Sequence, residues 1–234
     1  MFRVVWDQLE PCPYRDGQTA RLPLRLPTRV LTGVELDNAL ASGDRRSGRM
    51  LYRTRCPSCA ACEPLRVPVA RFRPSPSQRR AVRKNPDITV EVGAPDASAA
   101  HVALFNRHKL ERGLARTEEP LSSANYSAWL VDTCVDTREF RYYAGGRLVA
   151  VSILDIGRTS ASSVYHYFDP DEARRSLGVY SVLREIEWCA ANGIDWYYLG
   201  FYVSDCTHLA YKATYYPHQR RVDGVWVEAD ADAG

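Results

Sequence analysis

Glu139-Phe140-Arg141-Tyr142-Tyr143-Ala144-Gly145-Gly146-Arg147-Leu148-Val149-Ala150-Val151-Ser152-Ile153-Leu154-Asp155-Ile156 reads as two strands folded back on a Gly-Gly turn. Glycine reaches the positive φ that both central positions of a two-residue type I′ turn demand, and the flanking runs are rich in aromatic and β-branched residues. A third such run, Ser162–Phe168, extends the pair into an antiparallel meander. Leu177–Ala191 then carries Val179, Leu183, Ile186 and Ala190 on one helical face, with Gly193 beyond its end.

Working outward, helices are expected over Asp96–Arg112, stopped by Gly113, and near Ser123–Asp132, where Tyr126, Trp129 and Leu130 recur at helical spacing. Downstream come a strand at Trp196–Leu199, a short helix near Asp205–Lys212 and a final strand near Val222–Val227. Helices, antiparallel meander, helix, strand, helix, strand is the element order of N-acetyltransferase-type folds. The expected class is therefore α+β: a basic, cysteine-containing N-terminal domain, then an acyltransferase-like mixed sheet with flanking helices. Many acyl transfers share that fold, so the order by itself names no substrate.

The first half differs in charge. Residues 45–84 hold twelve Lys/Arg against the single acid Glu63, a net +11 in a chain whose formal charge is only +3. Everything outside that stretch therefore sums to −8, and such segregation is the electrostatic footprint of a polyanionic partner. Ser75 at an N-cap, Pro76 in the first turn and Gln78 at the capping-box position open a helix that runs to Lys84. Arg79 and Arg83, like Arg80 and Lys84, lie four apart, a like-charge spacing that costs an isolated helix about 0.2–0.5 kcal/mol per pair. A phosphate backbone across those ridges relieves the repulsion, so Arg79, Arg80, Arg83 and Lys84 are candidate contacts to a nucleic-acid backbone; a solvated basic face is the plainer reading. Strands at Met50–Arg53 and Leu65–Val69 flank the cysteines, and Asn85-Pro86 marks the expected boundary between domains 1–86 and 87–234.

No apolar run approaches the ~20 residues of a membrane span, so no membrane partner is expected. Met1–Asp7 lacks the apolar run of a signal peptide. Seven cysteines, three of them spaced by three residues, fit a reducing, cytoplasmic setting better than a disulfide framework.

Eight runs carry a more specific resemblance. They are Cys12-Pro13-Tyr14; Arg45-Arg46-Ser47-Gly48 with Tyr52-Arg53; Cys56-Pro57-Ser58-Cys59-Ala60-Ala61-Cys62 leading to Arg66-Val67; Phe72-Arg73-Pro74-Ser75-Pro76-Ser77-Gln78-Arg79-Arg80; Tyr167-Phe168-Asp169-Pro170-Asp171; Ser176-Leu177-Gly178-Val179-Tyr180-Ser181; Leu199-Gly200-Phe201-Tyr202; and Tyr211-Lys212-Ala213. In that order they resemble the aminoacyl-tRNA–protein transferases, in their bacterial leucyl-transferring branch, over almost the whole chain. The resemblance implies transfer of leucine from Leu-tRNA to the N-terminal α-amine of proteins beginning with Asp or Glu, marking them for N-degron degradation. Arg-tRNA is the alternative donor.

Such a reaction is aminolysis of an ester that is already activated, so no cofactor is required. The enzyme must orient two substrates, take a proton from the incoming ammonium and stabilise an oxyanion. Asp169, beside His166 and Tyr167 just past the third strand, is the preferred base of this catalytic group, although Asp-Pro-Asp is also ordinary turn and N-cap chemistry. Ser176-Leu177-Gly178 opens the longest helix. Its free N–H groups and close approach suit the terminal adenosine of tRNA, where acetyltransferases hold a pyrophosphate; a plain capping Ser176 is the alternative. An acidic acceptor side chain wants a cation. Lys212, next to Tyr211, is one candidate, and Arg46, with Ser47, and Arg53 are others; a snorkelling Lys212 is the competing view.

Cys12, Cys56, Cys59 and Cys62 supply enough thiolate for a zinc ion or an iron–sulfur cluster. The eukaryotic arginyl-transferring relatives have a cysteine pair near the N-terminus, whereas here only Cys12 stands there, with Arg15 at the second place. Reduced, packed thiols are the preferred state. Cys134, Cys189 and Cys206 show no ligand spacing and are expected in the core, and His101 and His108 are read as structural or exposed. An acetyl-CoA-dependent N-acetyltransferase and a noncatalytic zinc-containing RNA-binding module are the rival functions.

Overall fold

The structure, a computed structural model, describes residues 2–115, 117 and 119–229. The extended opening forms β1 (Phe2–Trp6), β2 (Leu9–Pro11), β3 (Thr19–Arg21) and β4 (Leu24–Pro27). Helix α1 (Gly33–Ala41) begins at a capping box in which Thr32 and Glu35 satisfy each other's backbone N–H groups. β5 (Arg45–Ser47) and β6 (Met50–Tyr52) follow, and β1, β4, β6 and β5 form a four-stranded sheet in that order, with β2 and β3 as a separate ribbon. β7 (Glu63–Pro68) then leaves this small sheet for the large one.

After β7 come α2 (Pro76–Arg83), β8 (Ile88–Gly93), α3 (Ala99–Glu111) and α4 (Ser123–Tyr126), which runs on into a π-helical stretch, Ser127–Val131. The meander is β9 (Asp136–Ala144), β10 (Arg147–Ile156) and β11 (Ser160–Phe168). A 3-10 turn, Pro170–Arg175, leads into α5 (Leu177–Ala191), then β12 (Trp196–Tyr202), α6 (Thr207–Ala210) with a 3-10 turn at Tyr211–Thr214, and the hairpin β13 (Gln219–Val222) and β14 (Val225–Glu228).

The large sheet runs β14-β13-β7-β12-β11-β10-β9-β8. Gly145 and Gly146 both have positive φ, as the two-residue turn between β9 and β10 requires. β10 is apolar along almost its whole length because it is covered on both faces. Ala150 and Leu154 join a core under α5, with Leu183, Ile186 and Tyr197. Val151 and Ile153 join a second core under α3 and α4, with Phe105, Tyr126 and Tyr167.

The mixed sheet with flanking helices is as expected, but three details differ. The expected boundary at residue 86 is not a break in the sheet. β7, from before it, lies between β12 and β13, while β8, from just after it, pairs with β9 at the far edge. β8 itself was not anticipated: a short half-exposed edge strand carries little apolar periodicity. The last strand is the second arm of a hairpin turning at Asp223-Gly224, both with positive φ. Finally, α5 buries Ser181, Glu185 and Cys189 along with its apolar residues, while Ala190 faces solvent.

Candidate active-site cleft

β11 and β12 run parallel and pair only at Ser160–Trp196, Ala161–Tyr197 and Ser162–Tyr198. Beyond that point each strand keeps its other neighbour, β10 on one side and β7 on the other, so the sheet opens into a V. Where a parallel ladder stops, strand carbonyls lose their partners and something else must satisfy them. Arg45 does so on β11. Its Nη1 donates to Ser162 Oγ at 2.7 Å and its Nη2 to the Ser163 carbonyl. On β12 the Lys212 ammonium donates to the Phe201 carbonyl at 2.8 Å.

Gly200 makes this possible. It has φ +101° at an irregularity in the β12–β7 register, and a Cβ there would lie 3.1 Å from Lys212 Nζ and 3.5 Å from Arg45 Nη2. Both cations are buried, and among the described residues neither has a carboxylate at ion-pair distance. Asp155, already held by Arg46, acts on Arg45 only at longer range. Burial and the neighbouring Arg45 charge pull the Lys212 ammonium down to about 7. Tyr14, Tyr52 and Cys62 surround the same spot from the N-terminal half.

On the other arm, His166 Nδ1 meets Ser152 Oγ at 2.9 Å while its buried Nε2 has no hydrogen-bond partner among the described residues and faces Gly178 in the first turn of α5. Burial, with a contribution from His108, drops the His166 ring to about 3, so it is neutral. Behind it lies Glu185, whose carboxyl burial raises to about 7 although the hydroxyls of Tyr197, donating at 2.5 Å, and Ser152 pull it back. The first intrahelical bonds of α5 run from Val179 and Tyr180 to Ser176, whose φ of 58° places it in the left-handed region and whose side chain makes no cap. The leading N–H groups at Leu177 and Gly178 therefore precede the ladder at the cleft's rim.

Several expected site residues lie elsewhere. Asp169 is 2% exposed, accepts from Arg107 at 2.8 Å and from Arg147, and caps the 3-10 turn through the Asp171 N–H. Its oxygens are taken up by two guanidiniums and a backbone donor, so the turn-and-cap alternative is the one observed. Tyr167 is fully buried under α3, its hydroxyl 2.6 Å from that of Tyr126, and belongs to the core rather than the cleft. Leu177 is likewise core, and Tyr211 is half-exposed beside Lys212. Arg46 is locked on Asp155 at 2.7 Å, Arg53 on Asp44 at 2.7 Å, and Ser47 is the last residue of β5, paired with Met50.

Arg45, Ser152, Glu185 and Gly200 were missed as site residues. Arg45 carried a signal: successive side chains of a strand face opposite ways, so an Arg-Arg pair puts one cation toward each layer. Glu185 is the one charged residue on the mainly apolar buried face of α5, which marks a buried acid.

The basic helix α2 is built as expected, with Ser75 and Gln78 forming its capping box. Its C-terminal end docks against the turn before α5: Lys84 Nζ donates to the Arg174 carbonyl at 3.2 Å and Asn85 to the Arg175 carbonyl at 2.9 Å. Arg79, Arg80 and Arg83 are exposed, with no acid at ion-pair distance among the described residues. These cations thus share the rim on which α5 begins.

The cysteines form a neighbourhood wider than expected. Burial and the charges of Cys12, Cys56, Cys59 and Cys206 push the Cys62 thiol up to about 12, so Cys206 belongs with this group and not with the core. Cys134 and Cys189 are buried as anticipated. An Ala61 backbone N–H and the Arg15 guanidinium, 3.4 Å from Sγ, hold the Cys59 thiol below its ordinary value. Among the described residues no three Cys, His, Asp or Glu side chains converge as metal ligands. No described helix is long and apolar enough to cross a membrane.

Two family models cover most of the chain: "Arginine-tRNA-protein transferase, N terminus" matches residues 10–80 and "Arginine-tRNA-protein transferase, C terminus" residues 100–222. The chain belongs to the arginine-tRNA-protein transferase family. Among its relatives, the aspartate/glutamate leucyltransferase of Acinetobacter baumannii is 36% identical over 216 residues, covering 92% of this chain and 80% of that one. The protein of the same name from Shewanella oneidensis is 36% identical over 212 residues, covering 91% and 88%. The solved structure of FemX aligns with a TM-score of 0.52 at 9% identity, covering 90% of this chain and 84% of its own, a likeness of fold alone. The two family segments meet between residues 80 and 100, near the expected boundary, yet within this transferase the large sheet takes strands from both.

Proposed function

We propose that the protein transfers leucine from Leu-tRNA to the N-terminal α-amine of proteins beginning with Asp or Glu, and so marks them for N-degron degradation in the cytoplasm. The observation that carries this reading is the docking of α2 on the turn that opens α5, which sets a row of free cations beside the V-shaped cleft. A polyanion gripped by Arg79, Arg80 and Arg83 has its 3′ end directed to the α5 N-terminus, where N–H groups and the Arg174 neighbourhood suit phosphate. The names of the curated relatives supply the leucyl donor and the acidic acceptor.

In the cleft the acceptor amine attacks the aminoacyl carbonyl carbon. A C–N bond forms, the ester C–O bond breaks, and the tRNA leaves with its free ribose hydroxyl. The attacking ammonium must first lose a proton. With its carboxyl at about 7, Glu185 is partly ionised at neutrality, and the Ser152 and Tyr197 hydroxyls link it to the strands lining the cleft, so the ionised carboxylate takes the proton by that route and returns it to the departing ribose oxygen. Neutral His166, its Nε2 unpartnered, is placed to donate or accept at the rim.

The test is transfer of radiolabelled leucine from charged tRNA to peptides beginning with Asp, Glu or Ala, run in parallel with charged Arg-tRNA. Label on the Asp and Glu peptides from Leu-tRNA alone is expected. Label from Arg-tRNA would reassign the donor, and acetyl-CoA-dependent labelling would replace the reading.

A further inference from the structure

We propose that Arg45 and Lys212 together form the subsite that reads the acceptor's side-chain carboxylate, the carboxylate bridging the two cations over Gly200. The proposal rests on the transferase reading above and adds which residues set its acceptor specificity. Three observations carry it. First, both cations are buried without an acid at ion-pair distance among the described residues, whereas their sequence neighbour Arg46 has Asp155 and the nearby Arg53 has Asp44. Burying unpaired charge is costly, and an incoming anion offsets that cost. Second, Nζ of Lys212 and Nη2 of Arg45 approach Gly200 from the same side, 3.1 Å and 3.5 Å from where a Cβ would stand, so the two nitrogens lie close together over a residue with no side chain of its own. Third, the place is the fork of the V, where Arg45 holds Ser163 and Lys212 holds Phe201. A carboxylate bound there is held beside the strands between which its own backbone amine must sit.

The subsite discriminates by what it leaves unpaired. An Asn or Gln acceptor presents an amide whose NH2 faces two cations, and sites built around buried polar partners reject such analogues strongly. Lys212 must be protonated to bind the carboxylate. Arg45, Cys62 and Cys206 are the charged or titratable groups acting on it, and its ammonium stands at about 7, so affinity for acidic acceptors falls as pH rises above that value.

The experiment measures binding of unlabelled Asp-, Glu- and Asn-starting peptides by calorimetry, alongside leucyl transfer to the same peptides, for the full chain and for Lys212→Met, Lys212→Arg and Arg45→Lys. Lys212→Met removes a buried charge and is expected to fold, and a thermal melt of each variant checks this. The wild-type protein should prefer Asp over Asn by about 100-fold or more. Lys212→Met should reduce that preference to within about threefold while Lys212→Arg keeps most of it. Preference for Asp in binding without any transfer would sustain this subsite and overturn the transferase reading. Transfer with an undiminished Asp preference in Lys212→Met would do the reverse, as would a wild-type protein that binds Asp and Asn peptides equally. Inhibition of peptide binding by inorganic phosphate that is abolished in Lys212→Met would make the site a phosphate site and overturn the proposal.

Discussion

Arg45 and Arg46 are neighbours on β5, yet their guanidiniums go to opposite fates. Arg46 closes a buried ion pair with Asp155 at 2.7 Å, while Arg45 reaches Ser162 Oγ at 2.7 Å with no acid at ion-pair distance among the described residues. The alternation of a strand separates them, and the partner waiting on each face decides which is structure and which is site.

Arg46→Met should destabilise the fold by about 3–5 kcal/mol in denaturant unfolding, because it strands Asp155 in the interior. Replacing both partners, Arg46→Met with Asp155→Leu, should recover most of that loss, since Thr137 is the further side chain bonded to Asp155. A double variant as unstable as the single one would show that the pair contributes more than mutual neutralisation.

Arg79→Gln, Arg80→Gln and Arg83→Gln combined should leave the thermal midpoint nearly unchanged, since all three are exposed. Binding to tRNA should weaken, and the slope of log affinity against log salt should fall by about 2–3 if each contacts one phosphate. An unaltered slope would move the tRNA to another surface.

Gly200→Ala should cost about 1–3 kcal/mol of stability, because its φ of +101° is strained for any residue with a Cβ. The added methyl also enters the space shared by Arg45 and Lys212, so KM for acidic acceptor peptides should rise more than kcat falls.

Asp169→Asn should retain transfer with an unchanged pH profile, because Asp169 caps a turn and pairs with Arg107 and Arg147. Stability should drop by about 1–2 kcal/mol, the scale of losing charge-assisted bonds to partly exposed partners. Loss of activity without loss of stability would restore Asp169 as the base.

Glu185→Gln tests the buried acid by linkage. Its carboxyl stands at about 7 in the fold against 4.5 as the ordinary value, so between those points the folded protein holds more protons than the unfolded one. Its contribution to stability is fully present below pH 4.5 and is lost as pH rises through 7. The wild-type protein should therefore lose stability relative to Glu185→Gln across that window, by at most about 1.4 kcal/mol per pH unit. Parallel curves would mean that Glu185 titrates elsewhere. On the proton route inferred above, the variant should also lose the acidic limb of the pH–rate profile.

The meander, α5 and α2 were legible because each rests on local chemistry: Gly145-Gly146 fits one turn, Ser75 and Gln78 cap one helix, and apolar spacing marks each buried face. The cysteine cluster and the eight motif runs likewise stood out in one dimension and led to the family. β8 was not legible, because an edge strand with one partner needs little apolar sequence. The place of β7 inside the large sheet, between β13 and β12, was hidden as well, because pairing between residues 63–68 and 196–202 leaves no mark in either segment alone.

From residues alone one learns which side chains are charged, which segments coil or extend, and which polyanion the molecule is built to meet. The fold alone settles which charges are spent on each other. Asp169, Arg46 and Arg53 looked available as residue types and are neutralised by partners, for Asp169 and Arg46 far along the chain and for Arg53 by Asp44 nine residues before it, while Arg45 and Lys212 both approach Gly200. The reason is physical: the free energy of a charge depends on desolvation and on what lies within a few ångströms of it, and those neighbours exist only once the chain has closed.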